Sequence, residues 1–268
     1  MSPETVKPSF HQISVVSVNI RFDTPEDGDH RWEFRVPRLA EALRDTEADI
    51  IGTQEGWRRQ IREMHHLLPG YQLADSHREW DESKMYPCIF LRPETFEVLG
   101  GSDIWLSRRP STPGSRSFGS AFPRLITLCR ARHRPTGREL VIGCLHLDHL
   151  SDTTRKKQAA VATRQMERNG AFSVPTLLLG DFNESPSRGV HALFMKKTSL
   201  YDPWERLGLA DETTFHGYGS ATDSQQQRID WVLATPEFEA MEARRLYSPS
   251  PGHYLSDHHP VLFRFFLR

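Results

Sequence analysis

Cysteine is scarce in this chain, and long hydrophobic runs are missing. Of 268 residues three are cysteine, and Cys88, Cys129 and Cys144 each sit in an apolar run. An odd, sparse set in such surroundings reads as buried thiols in a reducing compartment, and excludes a disulfide framework. The densest apolar stretches, Leu140–Leu147 and Leu177–Leu179, fall far short of the roughly 20 residues needed to cross a bilayer. Met1 to Gln12 lacks the charged start and apolar centre of a secretory signal, so a cytoplasmic protein with no membrane partner is expected. Charge of one sign is lacking too: 34 basic against 35 acidic residues leave −1, which gives no general pull toward nucleic acid or anionic lipid. No low-complexity linker divides the chain. The expectation is a tail over residues 1–11 and a single domain over 12–268, monomeric. At that length folding buries roughly three quarters of the unfolded surface, so no metal or disulfide is needed for stability.

What is present is an alternation of short elements. Ile13–Ile20 is rich in β-branched residues and reads as a buried strand. Val36, Leu39, Ala40 and Leu43 lie on one face of a helix, with Pro37 suited to its first turn. Ala48–Thr53 reads as a strand, and Ile61, Met64 and Leu68 mark a second helix. Further strands are expected at Cys88–Leu91, Phe96–Leu99, Ile126–Arg132, Leu140–Leu147, Thr176–Leu179, Ile229–Ala234 and Val261–Phe265, with helices over Thr153–Arg168 and near Gly189–Met195. Strands outnumber helices and some neighbours resemble hairpins, which argues for two packed sheets with helices outside rather than a doubly wound parallel sheet. Four segments, Phe22–Arg35, Ser76–Pro87, Ser107–Arg124 and Thr213–Arg228, are too long to be mere connectors.

Polar residues fall at the strand ends. Asn19 ends the first strand and Glu55 the second; His146 follows Leu140–Leu145, Asp181 and Asn183 follow Leu177–Gly180, Asp230 opens its strand, and Asp257-His258-His259-Pro260 precedes the last. One such carboxylate is unremarkable. Several converging on one rim need a compensating charge, for which a divalent cation is the simplest source. Oxygen and amide donors suit Mg²⁺ or Mn²⁺, one ion or two, rather than zinc. The zinc pattern around His146-Leu147-Asp148-His149 would want a histidine where Cys144 stands. Gly180 before Asp181 leaves room for a tight turn. These are the parts for attack of water on a phosphoester: a group to orient water, a group to hold a metal, and imidazoles to stabilise added negative charge.

Six motifs in order, Val18-Asn19-Ile20, Ile51-Gly52-Thr53-Gln54-Glu55, Cys144–His149, Gly180-Asp181-Phe182-Asn183, Arg228-Ile229-Asp230-Trp231 and Ser256–Pro260, resemble the endonuclease/exonuclease/phosphatase superfamily across nearly the whole chain. The resemblance implies an α/β (α+β) class and a four-layered α/β/β/α sandwich of two mixed, mostly antiparallel sheets. It also implies roles. Glu55 and Asn19 would hold the metal, with Asp257 near it. Asp181 would orient or deprotonate water, while Asn183 and His146 stabilise the transition state. His258 would contact the phosphate, with its ring held by Asp230. In two-ion members Asp181, Asn183 and His258 ligate the second cation. Some members pair the first histidine with a glutamate, but the matching position here is Met85, with Glu82 nearby, so His146 is expected to lack a carboxylate partner.

Arg21 and His216, within Asn19–Asp23 and Thr214–Tyr218, resemble a bacterial branch near sphingomyelinases and sugar-phosphate phosphatases, and would contact phosphate or leaving group. The loop Ser107–Arg124 carries Arg108, Arg109, Arg116 and Arg124 with no acid, a candidate recognition edge represented by Arg116. Trp32, Trp105, Phe118, Phe122 and Tyr218 could stack on a sugar or base, core packing being the stronger expectation for Trp105 and also for Phe122. The favoured activity is a phosphatase or phosphodiesterase on a small phosphorylated molecule, a sugar phosphate among the candidates. A nuclease is the alternative, and a catalytically inactive binding module the weakest reading, because every expected acid is retained.

Overall fold

The structure, a computed structural model, describes residues 11–248 and 252–268. The expected tail therefore lies outside the described residues except for His11, which opens the first strand. Strands β1 (His11–Asn19), β2 (Ile50–Trp57), β3 (Gln72–Leu73), β4 (Met85–Leu91), β10 (Phe238–Arg245) and β11 (Val261–Leu267) form one sheet in the order β10-β11-β1-β2-β4-β3. The other sheet is β5-β6-β7-β8-β9, from β5 (Phe96–Trp105), β6 (Leu125–His133), β7 (Glu139–His146), β8 (Thr176–Asp181) and β9 (Asp230–Ala234). Within each sheet one pair is parallel, β1 with β2 and β7 with β8, and the other pairs are antiparallel. Helices α1 (Trp32–Asp45), α2 (Arg58–Leu67), α3 (Asp152–Arg168), α4 (Gly189–Lys197) and the short α5 (Pro203–Arg206) complete the chain.

Alternation along the strands builds three apolar layers. Val15 and Ile13 of β1 face the other sheet, where Ile142, Cys144, Leu177 and Leu179 meet them. Val16 and Val18 face the opposite way, onto Val36, Leu39 and Leu43 of α1 and Ile61 and Met64 of α2. On the far side Val141, Leu145 and Leu178 pack against Ala159, Ala162 and Met166 of α3 and Phe194 of α4. Three buried interfaces between four layers are the α/β/β/α sandwich. All three cysteines are free and buried, and burial pushes the Cys88 thiol up to about 11.

Two local expectations differ. Helix α1 starts at Trp32, so Pro37 lies inside it rather than in its first turn. Strand β10 is present where the charged segment from Phe238 to Arg245 offered no apolar run; it is an edge strand paired only with β11, and Phe238 is its one buried residue.

Candidate active site

Register sets the site. His146 pairs with Asp181 across β7 and β8, and Asp181 pairs with Asp230 across β8 and β9, so three residues stand side by side at one level. Gly180 has φ 149°, and a Cβ there would meet the Leu145 carbonyl oxygen at 2.0 Å, so the close approach of β8 to β7 admits only glycine. In the other sheet Asn19 closes β1, while Glu55 lies where the pairing of β2 with β4 slips between Thr53 and Gly56. Such a bulge re-aims a side chain. Asn19 Nδ2 then donates to Glu55 Oε1 at 3.1 Å and to Asp181 Oδ2 at 3.0 Å, joining the two sheets. Arg21, Glu55 and Asn183 have φ of 56°, 66° and 52°, a left-handed backbone that costs non-glycine residues on the order of 1 kcal/mol each and tends to gather at functional sites.

His258 arrives from the segment before β11, its backbone bridged to Phe215. Its Nδ1 lies 2.8 Å from Asp230 Oδ2, and its Nε2 faces the cluster, 3.9 Å from Asp181 Oδ2. Ser256 Oγ donates to the Asn19 carbonyl at 2.6 Å and fastens this segment to β1. Burial and then the Asp230 charge push the Asp181 carboxyl up to about 7. Burial also raises Asp257. Burial opposes charge on His258, but the contact with Asp230, with Asp257 and Asp181 nearby, holds that imidazole well above the ordinary histidine range. His146 goes the other way: burial lowers it well below that range, and Arg124 and His258 lower it further.

The neutral His146 ring has a defined tautomer. Arg124 Nη1 lies 3.0 Å from its Nδ1. A guanidinium only donates, so Nδ1 carries the lone pair and Nε2 the proton. Nε2 is 3.3 Å from Asp181 Oδ2, the acceptor that favours this tautomer, while Asn183 Nδ2, a second donor that bonds the Leu147 carbonyl at 3.0 Å, faces the same nitrogen at 2.9 Å. Among the described residues no carboxylate reaches Nδ1: Met85 lines the cleft, and Glu82 accepts from Arg58 at 2.6 Å instead. Arg124 is thus a site residue that sequence reading left within a general basic loop. Its signal was position, directly before the apolar strand β6.

Glu55, His146, Asp181, Asn183, Asp257, His258 and Arg21 line one cleft of about 740 Å³, with Asn19 and Asp230 buried beneath it. Arg21 forks onto Asp27 at 3.1 and 2.9 Å and lies 3.8 Å from Asp257. Two expected residues are not brought there. Arg116 is exposed, donates to the Ala121 carbonyl at 2.9 Å and does not line the cleft. His216 also stands outside it, stacked on Tyr254 at 4.8 Å, with burial and His259 lowering its imidazole to about 3. Its segment supports the site through the backbone: His216 N donates to the Asp257 carbonyl at 3.0 Å, and Thr214 Oγ1 accepts from the amides of Ile229 and Asp230 at 3.0 and 3.1 Å. Trp105 is buried as expected, whereas Phe122 is 46% exposed on the cleft rim.

The donor set fits a hard divalent cation. Glu55, His146 and Asp181 offer ligand atoms within 4.8 Å of one another, as do Asp181, Asp230 and His258. Asp230 Oδ1 is buried with no partner among the described residues, and the raised Asp181 marks negative charge that His258 and Asn19 offset only in part. A third group, His191, Asp202 and Glu205, is structural: Asp202 is held by Arg228 at 2.9 Å and caps α5.

A comparison with curated proteins finds no match. Among solved structures, an endonuclease/exonuclease/phosphatase from Bacteroides vulgatus superposes with a TM-score of 0.87 at 23% identity, covering 96% of this chain and 100% of that one. A mannosyl-6-phosphatase from Bacteroides thetaiotaomicron gives 0.81 at 26% identity, covering 94% and 99%. D. rerio TDP2, complexed with a single-strand DNA product, gives 0.74 at 18% identity, covering 95% and 98%. Residues 16–258 match the family described as endonuclease/exonuclease/phosphatase, and the chain belongs to that family.

Proposed function

We propose that residues 12–268 act as one catalytic domain, a Mg²⁺- or Mn²⁺-dependent phosphoric-ester hydrolase of the cytoplasm that works as a monomer on a small phosphorylated molecule, a sugar phosphate being one candidate. One observation carries this reading: Asn19, Glu55, His146, Asp181 and His258, spread over the sequence, are linked by contacts of 3.0 to 4.0 Å. The likeness to a phosphatase at 26% identity supports the choice among family activities.

Glu55 and Asn19 would hold the cation with Asp257 close by; a second ion at Asp181, Asn183 and His258 would need a neutral His258 and is the alternative to the roles given below to Asp181 and His258. When bound, it supplies Lewis-acid polarisation of the scissile phosphate and offsets the clustered acids. Asp181 takes a proton from the attacking water as that oxygen bonds to phosphorus, and the displaced alkoxide leaves as the alcohol with a proton from solvent. His258, kept cationic by Asp230, donates to a phosphoryl oxygen as charge builds there. His146 presents one neutral Nε2–H donor to the same region, with Asn183 beside it. Arg21 is the cleft arginine for a phosphate oxygen.

The test is release of phosphate, or of the alcohol, from a panel of phosphorylated sugars, nucleotides, DNA, RNA and sphingomyelin with Mg²⁺. Turnover of a small ester without cleavage of nucleic acid supports the proposal. Cleavage of DNA or RNA alone would establish the nuclease reading instead.

A further inference from the structure

Resting on the hydrolase reading, we infer that the substrate carries a single phosphate and an aromatic ring in its leaving group, and that Phe122 is the residue which selects that ring. The charges come first. The cleft-lining cations Arg21, Lys84 and Arg124 are all engaged: Arg21 with Asp27, Lys84 with Asp81, and Arg124, 8% exposed, with His146. With the cationic His258 assigned to the first phosphate, a second phosphate would therefore enter among acids with no spare arginine or lysine to meet it.

The walls point the same way. Phe22, Trp57, Met85, Phe122, Pro123 and Phe215 line the cleft. Several polar side chains that line it are committed: Ser83 Oγ donates to Asp81 at 2.6 Å, Asn183 Nδ2 donates to the Leu147 carbonyl at 3.0 Å, and Glu55, Asp181 and Asp257 are the acids assigned to the cation and the attacking water. A polyhydroxylated leaving group would lose its water hydrogen bonds here and find few replacements. A flat ring loses little and gains contact with an aromatic face. Phe122 offers that face: it is 46% exposed, lies 5.4 Å from the Arg124 guanidinium and 5.9 Å from the His149 ring. Through Arg124 it is joined to His146, one of the residues of the acid and imidazole cluster.

The experiment compares esters of primary alcohols, so that intrinsic reactivity is matched: benzyl phosphate, a nucleoside 5′-monophosphate, a hexose 6-phosphate and a hexose 1,6-bisphosphate, each with Mg²⁺. The ring-bearing esters should exceed hexose 6-phosphate by about tenfold in kcat/KM, with the bisphosphate slowest, and the better of the two names the kind of ring. Phe122→Ala should raise KM for benzyl phosphate by about tenfold, well beyond its effect on methyl phosphate. Calorimetry of benzylphosphonate against a hexose phosphonate reads the same preference without turnover. Preference for the hexose esters, or an equal loss on both esters in Phe122→Ala, overturns the inference and leaves the hydrolase reading intact. No hydrolysis of any ester, with benzylphosphonate still bound in preference, overturns the hydrolase reading and upholds the ring site.

Discussion

Arg124 donates to His146 Nδ1 at 3.0 Å, so that ring nitrogen meets a cation and not a carboxylate. That partner sets the ring's electrostatics. A carboxylate would favour imidazolium, whereas a buried arginine keeps the ring neutral and directs its one N–H at the reacting centre. His146 is in this account a hydrogen-bond donor and not a general acid.

Arg124→Ala should therefore lower kcat by about 10²-fold while the domain stays folded, because the donor is no longer held in one tautomer. Arg124→Lys, which can still donate to Nδ1, should recover part of it. Nitrogen NMR of the His146 ring checks the cause directly. A protonated Nε2 is expected in the wild type and a mixture in Arg124→Ala; unchanged tautomers with lost activity would contradict the assignment.

Asp181 is a source of instability in the metal-free protein. Its carboxyl sits at about 7 when folded, against about 4 when unfolded, so between those values the folded chain holds a proton that the unfolded chain has released. Stability then falls as pH rises from about 4 to about 7 and stays lowered above that. In chelator, Asp181→Asn should be more stable than wild type at about pH 8 and equal to it at about pH 4. Denaturant melts of both proteins across that range measure it, and parallel curves would contradict the burial of a strained carboxylate.

Divalent cation should act on both stability and rate. Mg²⁺ or Mn²⁺ at about a hundred times its Kd should stabilise the fold by about 2.7 kcal/mol, read as a rise in Tm. EDTA should remove the rise and all hydrolysis. Glu55→Ala should lose the shift without loss of fold. Full activity in chelator would eliminate the cation from the account.

Arg116→Ala should change KM and kcat by less than about threefold, since the side chain is exposed and turned onto its own loop. A loss of about tenfold or more in kcat/KM would mean that the loop closes over substrate.

The legible parts of this protein are those where one residue type does one physical task. Apolar runs marked β1, β7 and β8, and the polar residue ending each run, Asn19, His146 and Asp181, is where the structure has a site residue. A strand delivers its last side chain to the sheet rim whatever follows. Loop residues were less legible. Arg116 and His216 have suitable chemistry, but the Arg116 guanidinium turns onto the Ala121 carbonyl and the His216 backbone bonds Asp257, and adjacency in sequence does not encode that. The bulge that turns Glu55 inward depends on a slip against β4, a partner some 30 residues away in the chain, and so left no local trace. Arg124 was hidden by its company: four arginines in one loop look alike until one is buried against a histidine.

The most direct test is hydrolysis of benzyl phosphate with Mg²⁺ in water enriched in heavy oxygen, in the wild type and in Asp181→Asn. Attack of water on phosphorus predicts the label in the released phosphate and unlabelled benzyl alcohol, with the rate lowered by about 10³-fold or more in Asp181→Asn. Label in the alcohol, or wild-type turnover in Asp181→Asn, would contradict the chemistry assigned to this cleft.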